Sequence, residues 1–370
     1  MKIIRVSNQE TSLITIGLTR VLLFIGAVIL FRFELVFPAL LCILLLMISI
    51  VSKWWSKKGL NKLIVSSFFI PKRIFAGDNV AFKVALENDK FLPAIINWKI
   101  ELPDCIKGQE GVLNKDKNFL SFSAILRWYE KKEKTFNLEV SRRGYYQLNK
   151  FRLVSSDLIG ISDYEALIEE DTSLIVYPPV FPISNYGIKP RDLIGERMDN
   201  RYILPDPIMI MGLREYNSDM PAYLIDWKAS AKRDVFMAKL IEPSANYKIC
   251  VTVDVEGLVG LEDGEEIFER ALSIAASIAV WADEEKIPIG LFINITQKGF
   301  PGPIVVPVNS GNSHMLLLLE KLARAEYQLL GSWQDLLHLS KQEIPWGTTL
   351  IVIRADYVYM PDVVVIPARP

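Results

Sequence analysis

The chain has 370 residues, 51% of them hydrophobic, and its 42 Lys and Arg residues are balanced by 43 Asp and Glu residues. This composition excludes a disordered chain, which would have few apolar residues and a large net charge. A net charge of -1 gives no global attraction to nucleic acid. The mean hydropathy is only +0.24, and most of the strongly apolar residues lie in one region, which excludes a polytopic transporter.

Cysteine and histidine are too sparse to form a recognisable metal or disulfide framework. The three cysteines are Cys42, Cys105 and Cys250, which lie far apart and show no CxxC spacing. The two histidines are His314 and His338, and neither has a nucleophile beside it in the sequence. We therefore expect buried or lipid-facing thiols in a reducing compartment.

The first fifty residues contain two apolar runs that predict a two-helix membrane hairpin within an anchor at residues 1–58. The runs cover residues 12–31 and 35–51 and are separated by Arg32-Phe33-Glu34. The second run is uncharged and just long enough to span a hydrocarbon core of about 30 Å. The first run contains Arg20, which we expect to extend toward the nearer interface.

The basic residues that flank the two runs predict the orientation. Lys2 and Arg5 precede the first run, and Lys53, Lys57 and Lys58 follow the second. The positive-inside rule then places both ends in the cytoplasm, as a two-pass protein of the cell membrane with cytoplasmic soluble domains. A signal peptide is disfavoured because a second apolar run follows at once, and a buried hairpin of a soluble protein is the other alternative.

Residues 59–175 predict a β-rich, sandwich-like domain. Short apolar alternations, at 64–69, 80–86, 95–102, 119–128 and 134–140, are divided by turn residues. In one of them Ile96, Trp98 and Ile100 lie on one face. We interpret the charged run at 130–134 as a solvated hairpin turn. Nothing in this stretch predicts catalysis.

Residues 176–370 predict a doubly wound α/β domain. Apolar strands are expected at 247–255, 289–295, 350–353 and 363–366, with a hairpin partner at 304–308. Helices are expected at 265–286, 314–330 and 333–340. Strands that alternate with helices indicate a parallel sheet with its ligand site at the carboxyl ends of the strands.

Two aspartates fall at that edge. Asp254 lies near the end of the first strand and Asp356 lies just past the end of a later one, where a metal site would form. The alternative is that both aspartates cap turns. The chain contains no P-loop, dinucleotide fingerprint, GxSxG, HExxH or SxxK motif, so we do not expect an enzyme.

Residues 212–243 hold the most distinctive pattern in the chain. Gly212, Arg214 and Tyr216 are followed by Ile225-Asp226-Trp227-Lys228, by Ser230-Ala231-Lys232 and by Glu242-Pro243. This pattern resembles the signature of the domain-of-unknown-function-58 (DUF58) family. The stretches at 143–148, 155–160 and 176–178 and the N-terminal hairpin are also similar to that family, so the resemblance covers essentially the whole chain.

The resemblance implies a fold and a setting. It implies an α/β domain similar to von Willebrand factor A modules, a β-rich domain and a membrane anchor. Members of the family are often encoded beside MoxR-type AAA+ ATPases, which implies an accessory or assembly role. A von Willebrand A metal site has Asp-x-Ser-x-Ser, whereas both serines are missing after Asp254, leaving Asp254, Glu256 and Asp356 as a degenerate set for Mg²⁺.

Three hypotheses for function follow. The first is a non-enzymatic scaffold or adaptor that docks a MoxR-type ATPase through Arg214, Tyr216, Asp226, Trp227, Lys228 and Lys232. The second is a divalent-cation-dependent adhesion-type module, and the third is a membrane-tethered envelope enzyme. In a purely structural interpretation of the signature, Trp227 fills a domain junction and Arg214 pairs with Asp226.

Overall fold

The computed structural model divides the chain into two compact units. The first unit comprises Met1–Pro179 and Leu322–Arg324, and the second comprises Val180–Lys321 and Ala325–Pro370. The described residues are 2–9, 17–108, 119–190, 193, 210–217, 220, 222–233, 235–241, 247–300, 302–332, 334–335, 344–345, 347–360 and 363–369.

Two consecutive helices lie near the start of the first unit. Helix α1 covers Gly17–Arg32 and helix α2 covers Val36–Gly59. Within the described residues, α2 is the one helix long and apolar enough to cross a membrane. It continues past the predicted end at residue 51, because adding good helix formers such as lysine to an existing helix costs little free energy. The predicted first run begins outside the described residues.

The strands of the first unit form a β-rich body. Their bounds are β1 (Lys2–Gln9), β2 (Leu63–Ile70), β3 (Arg73–Phe75), β4 (Asn79–Asn88), β5 (Ala94–Glu101), β6 (Ile106–Gly108), β7 (Phe119–Leu126), β8 (Lys131–Val140), β9 (Gly144–Gln147), β10 (Lys150–Ser156), β11 (Asp163–Glu169) and β12 (Ser173–Tyr177). Among the described residues the sheet orders are β1-β11-β10-β5-β7, β2-β4-β8-β6 and β3-β12-β9. Mixed α/β structure with several sheets confirms the coarse fold class.

The core of this body is built from alternating strand positions. Ile96, Trp98 and Ile100 are buried, as the alternation predicts. The Trp98 ring packs against Phe136 at 6.1 Å and Phe151 at 5.6 Å between ring centroids. Because side chains along a strand alternate between faces, one face of β5 enters this aromatic core and the other does not.

The charged run at 130–134 is not the hairpin turn that the sequence predicts. The turn comes earlier, where the backbone N–H of Arg127 donates to Glu130 Oε2 at 2.7 Å. Lys131 already belongs to β8 and lies opposite Glu87 of β4. The prediction is wrong because a strand with one solvated face accepts charged side chains, so charge alone does not mark a turn.

Strand β1 has no counterpart in the sequence-based prediction. It pairs antiparallel with β11, with Lys2 opposite Glu169 and Gln9 opposite Asp163. The residues that precede α1 therefore join the same sheet as residues that follow α2. A partner so distant in the chain leaves no local signal, because strand pairing of this kind is decided by tertiary structure.

The second unit contains the strands and helices of an α/β body. The strands are β13 (Ile210–Glu215), β14 (Met237–Ile241), β15 (Lys248–Val253), β16 (Ile289–Ile293), β17 (Ile295–Gln297), β18 (Ile304–Asn309), β19 (Ala325–Leu329), β20 (Thr348–Arg354) and β21 (Val363–Pro367). The helices are α3 (Trp227–Arg233), α4 (Gly264–Glu284) and α5 (Asn312–Arg324), of which Leu322–Arg324 are assigned to the first unit.

A five-stranded sheet organises this unit, in the order β18-β16-β15-β20-β21. Strands β16, β15, β20 and β21 run parallel, and β18 is antiparallel to β16. The carboxyl ends of the parallel strands therefore meet at one edge of the sheet. The parallel strands and the hairpin partner are as predicted.

The predicted helix at 314–330 is too long. Helix α5 ends at Arg324, and Ala325–Leu329 forms β19, which pairs antiparallel with β17. The pairing with β17 outweighs the helical preference of this segment, because tertiary context routinely overrides local propensity. The predicted helix at 333–340 lies mostly outside the described residues, as do Glu242, Pro243 and His338.

Helix α2 joins the β-rich body through close contacts at its C-terminal end. A Cβ at Gly59 would collide with the Ser155 side chain, and the Ser56 hydroxyl lies 3.2 Å from that of Ser162. The Lys90 ammonium donates to the carbonyl oxygens of Gly59 at 2.5 Å and Asn61 at 2.6 Å. A cation here satisfies carbonyls that have no partner within the helix and complements the helix dipole.

We predict that Lys90→Met lowers the free energy of unfolding by about 1–3 kcal/mol, because the carbonyls of Gly59 and Asn61 lose their donor. Burial lowers the pKa of Lys90 to about 8, so its ammonium is largely charged at neutral pH. The measurement is denaturant unfolding of the full chain in detergent. Lys131→Met is the control, since Lys131 pairs with Glu133 on the surface. Equal effects of the two substitutions would contradict the capping role.

Candidate functional site

The signature residues lie on a β-ribbon and the short segment that connects its strands. Strands β13 and β14 pair antiparallel, with Arg214 opposite Ala238. Between them the chain forms a 3-10 turn at Ala222–Leu224 and then α3. The ribbon therefore places Arg214 and Tyr216 on one strand and Trp227, Lys228 and Lys232 on the adjoining helix.

Two polar side chains of the signature hold α3 against β14. The Asp226 carboxylate accepts from the backbone N–H of Ala229 at 3.0 Å, which caps the helix. The Ser230 hydroxyl donates to the Asp226 carbonyl at 2.8 Å and accepts from the Met237 N–H at 2.9 Å. The Asp226 N–H donates to the Met237 carbonyl at 2.8 Å. Asp226 and Ser230 therefore act structurally.

The aromatic residues of the ribbon are largely exposed. Trp227 is 68% exposed and Phe236 is 57% exposed. Their rings meet edge to face with centroids 6.2 Å apart, and Tyr216 approaches Phe236 at 6.5 Å. The Tyr216 hydroxyl donates to the Met220 carbonyl at 2.9 Å, which fixes that ring. Exposed aromatic rings on a fixed backbone are typical of interaction sites.

Three basic residues of the same ribbon and helix are also exposed. Lys228 and Lys232 are exposed and lie one helical turn apart on α3, and Arg214 is exposed on β13. Within the described residues Arg214 makes no ion pair with Asp226, so the predicted pairing is wrong: the carboxylate of Asp226 caps α3 instead. We call Trp227, Lys228, Lys232 and Phe236 the aromatic–basic surface.

Asp254 lies at the carboxyl edge of the parallel sheet and is 2% exposed. Its Oδ2 forms an ion pair with Arg354 Nε at 2.7 Å, and its Oδ1 accepts from the Gly257 N–H at 3.2 Å. A Cβ at Gly257 would lie 3.1 Å from Asp254 Oδ2, so glycine permits this close approach. The adjacent cavity, of about 10 Å³, is bounded partly by Asn294 and Gly331, and this volume is roughly that of one water.

The other two predicted metal ligands have different surroundings. Arg369 binds Asp356 at 3.3 Å and Asp263 at 3.2 Å, and the hydrogen bond to Asp263 and the attraction of both carboxylates raise the pKa of Arg369. Glu256 is exposed. Within the described residues no three His, Cys, Asp or Glu side chains are grouped to hold a metal ion.

The charged side chains described at the carboxyl edge of the sheet form ion pairs with one another, and this arrangement is less suited to binding a divalent cation. A hard cation needs six or more oxygen ligands, and the negative charge of the Asp254 carboxylate is already neutralised by the Arg354 guanidinium. A cation at Asp254 would have to displace that guanidinium. The Mg²⁺ site at Asp254, Glu256 and Asp356 stays a prediction.

Two residues of these sites, Arg354 and Phe236, are not among the residues that the sequence pattern predicts. Arg354 directly follows the apolar run at 350–353. A charged residue at the end of a buried strand is a sequence signal that could have predicted an ion pair at this edge of the sheet. Phe236 lies in an apolar stretch and gave no sign of being exposed. Its exposure depends on which face of the ribbon is covered.

The chain is similar to a bacterial protein at low identity, and no family model matches it. It is 24% identical over 261 residues to the uncharacterized protein YeaD of Bacillus subtilis strain 168. The alignment covers 68% of this chain and 60% of that relative, so the chain spans less than two thirds of the relative's length.

Comparison with solved structures gives partial likenesses only. A non-cellulosomal cohesin from Archaeoglobus fulgidus matches at 12% identity, over 30% of this chain and 90% of that chain, with a TM-score of 0.22. The major pilin subunit BcpA of Bacillus cereus matches at 5% identity, over 32% of this chain and 41% of that chain, with a TM-score of 0.24. TM-scores this low carry no fold assignment.

We predict that Arg354→Met destabilises the chain by about 3–5 kcal/mol, because it leaves the buried carboxylate of Asp254 without its partner. Adding Asp254→Asn should recover part of that loss, because the buried charge is then removed. Thermal unfolding measures both effects.

Arg369→Met is the control for this pair, because the ion pairs of Arg369 are exposed and should matter little. A matching loss in the two arginine variants would contradict a special role for the buried pair. A rise in the melting temperature of the wild type with millimolar Mg²⁺ would favour the cation-binding alternative.

Proposed function

We propose that this protein is a membrane-anchored, non-enzymatic adaptor that docks a protein partner through its aromatic–basic surface. The observation that carries the proposal is the exposure of Trp227 and Phe236 beside Lys228 and Lys232. Exposure of large aromatic side chains to water is unfavourable, and their burial by a partner lowers the free energy of the complex. The fixed backbone beneath lowers the entropy cost of docking.

The anchor in this proposal is a two-pass hairpin made of α1 and α2. Strand β1 precedes α1, yet it pairs with β11, which follows α2. In this proposal both strands lie on the same side of the membrane, and their pairing supports an even number of crossings. The Arg20 Nε donates to Ser49 Oγ at 2.7 Å, so the start of α1 meets the second half of α2, as in an antiparallel pair.

The flanking lysines favour placing the soluble units in the cytoplasm. Helix α1 has 16 residues. At about 1.5 Å per residue it is about 24 Å long, shorter than a hydrocarbon core of about 30 Å. The two-pass arrangement therefore requires a contribution from residues before Gly17 or local thinning of the bilayer.

The second unit is proposed to be a von Willebrand factor A-like domain of a DUF58-family protein. A parallel sheet with an antiparallel edge strand and a long buried helix, α4, supports this assignment. The signature at 212–232 and the distant similarity to YeaD are compatible with it. The identification of the partner as a MoxR-type AAA+ ATPase rests on the family resemblance alone.

We predict that the two-pass topology places Phe33 outside and both Ser7 and Lys131 inside. Single cysteines at these positions, in a background lacking Cys42, Cys105 and Cys250, are treated with a membrane-impermeant maleimide. In intact cells only Phe33→Cys should react, and Ser7→Cys and Lys131→Cys should react after permeabilisation. Labelling of Ser7→Cys but not Lys131→Cys from outside would place them on opposite sides and contradict the pairing of β1 with β11.

We predict that the detergent-solubilised protein recovers an AAA+ ATPase from its native cells in a nucleotide-dependent way. Trp227→Ala should reduce the recovery at least tenfold, because a buried aromatic anchor contributes about 2 kcal/mol or more to an interface. Lys228→Glu with Lys232→Glu should do the same through repulsion of an acidic partner surface.

Lys286→Glu is the charge-reversal control for these variants, because Lys286 is an exposed lysine outside the ribbon. Thermal unfolding checks that each variant is folded. Undiminished recovery with the Trp227 and double-lysine variants would reject the aromatic–basic surface as the docking site. Recovery of envelope enzymes in place of an ATPase would favour the membrane-tethered enzyme alternative.

A further inference from the structure

The most exposed apolar side chains of the β-rich body lie close together in three loops. Among its described residues, the large apolar side chains that are more than half exposed are Phe91, Ile125, Trp128, Tyr129, Leu158 and Ile159. All of them lie in or directly beside the loops that join β4 to β5, β7 to β8 and β10 to β11. We call these loops, at 89–93, 127–130 and 157–162, the apolar rim.

The strand register places the three loops at the same end of the body. Ala94, the first residue of β5, lies opposite Leu126, the last residue of β7. Ser156, the last residue of β10, lies opposite Ile95 of β5. The chain therefore leaves β4, β7 and β10 at the end where it enters β5, β8 and β11.

The opposite end of the body has a different surface. None of its described loops contains a large apolar side chain that is more than half exposed; these loops are 76–78, 102–105, 141–143, 148–149 and 170–172. Both ends of a sandwich surrounded by water would be expected to be polar. The difference between them indicates that the apolar rim is covered by an apolar or interfacial environment.

The apolar rim lies beside the C-terminal end of α2. Lys90 donates to the carbonyl oxygen of Gly59, and the N–H of Tyr129 donates to the carbonyl oxygen of Lys90 at 3.3 Å. In the third loop, the Ser162 hydroxyl lies 3.2 Å from that of Ser56. Hydrogen bonds therefore connect all three loops to the last turn of the apolar helix or to the residues around it.

The length of α2 indicates the depth at which its end lies. About 20 helical residues span a hydrocarbon core of about 30 Å, and α2 has 24 residues. At about 1.5 Å per residue, the remainder extends about 6 Å beyond the core. The head-group layer of one leaflet is about 5–8 Å thick. When α2 spans a bilayer, its C-terminal end and the loops packed on it therefore lie at the level of the head groups.

The loops of the apolar rim are held together by buried contacts. Asn88 is fully buried, and its side-chain amide donates to the carbonyl oxygens of Leu92 at 3.0 Å and Arg127 at 2.7 Å. The Phe91 and Trp128 rings stack with their centroids 5.4 Å apart and their planes at 8°. Fixed aromatic rings lose little conformational entropy on contact, and Trp and Tyr are enriched at membrane interfaces.

The charges beside the apolar rim favour anionic lipid. Four basic residues near it are exposed: Lys57, Lys58, Lys62 and Arg127. Among the carboxylates of the three loops, Asp157 is buried and Glu130 lies 3.7 Å from Lys132, whereas Asp89 is exposed. The exposed side chains therefore carry an excess of positive charge, which attracts the anionic head groups of a membrane surface.

We propose that the apolar rim inserts into the head-group layer of an anionic leaflet, the one from which α2 emerges. Phe91, Trp128 and Ile159 enter this layer, and Lys62 and Arg127 contact lipid phosphates. The proposal rests on the membrane anchoring proposed above and does not involve the aromatic–basic surface. Contact through three loops beside one helix holds the β-rich body in a single orientation on the bilayer.

The test measures the depth of nitroxide labels on the full chain in nanodiscs of phosphatidylcholine and phosphatidylglycerol. Single cysteines are placed in a background lacking the three native cysteines. Labels at Phe91→Cys and Ile159→Cys should collide more often with oxygen, which concentrates in lipid, than with a water-soluble nickel chelate. A label at Asp171→Cys, exposed at the opposite end, should show the reverse.

Charge reversal tests the contact with anionic lipid. Lys62→Glu with Arg127→Glu should abolish the excess of oxygen collisions at Phe91→Cys, because lipid phosphates repel the new carboxylates. Arg142→Glu with Lys150→Glu is the matched control, since both residues are exposed at the opposite end of the body. Thermal unfolding checks that each variant is folded. An equal effect of the two double variants would overturn the proposed contact with lipid phosphates.

A label at Met47→Cys, exposed on α2, reports the anchoring separately. Oxygen collisions at Met47→Cys with nickel collisions at both Phe91→Cys and Ile159→Cys would overturn the insertion of the apolar rim and leave the anchoring intact. Nickel collisions at Met47→Cys as well would reject the anchoring and the insertion together. Protection of Phe91→Cys from both reagents would indicate burial against a protein partner and would also overturn the proposal.

Discussion

The first unit depends on the close packing of the C-terminal end of α2 against the β-rich body. The helix does not end in a flexible linker: Gly59 lies directly against Ser155, and Ser56 contacts Ser162. Lys90, in the loop after β4, donates a hydrogen bond to the carbonyl oxygen of Gly59 at the end of the helix. Any change in the tilt of α2 therefore disturbs buried contacts of the sandwich, because closely packed interiors do not deform freely.

The same constraint explains why small and polar residues lie on one side of an apolar helix. Ser49, Ser52, Ser56 and Gly59 are buried, whereas the larger apolar side chains of α2 are mostly exposed. Small residues allow close approach between a helix and its neighbours, and hydroxyl groups then provide hydrogen bonds where water is excluded.

In the second unit, the carboxyl edge of the sheet and the exposed ribbon differ in how their charged side chains are paired. Arg354 neutralises Asp254, and Arg369 bridges Asp263 and Asp356, so the carboxyl edge is electrostatically satisfied from within. The lysines of α3 have no such compensation from Asp226, whose carboxylate caps the helix. Among the residues that the structure describes, exposed lysines beside exposed aromatic rings make the ribbon the better candidate for binding a partner.

The sequence by itself determined the apolar run of α2, the alternation that buries Trp98, and the parallel strands of the second unit. These features depend on the periodicity of neighbouring residues, which is local information. Only the tertiary structure decided that β1 joins β11, that residues 325–329 form a strand, and that Arg354 neutralises Asp254. Each of these depends on residues far apart in the chain, whose proximity is set by packing and pairing and leaves no trace in local pattern.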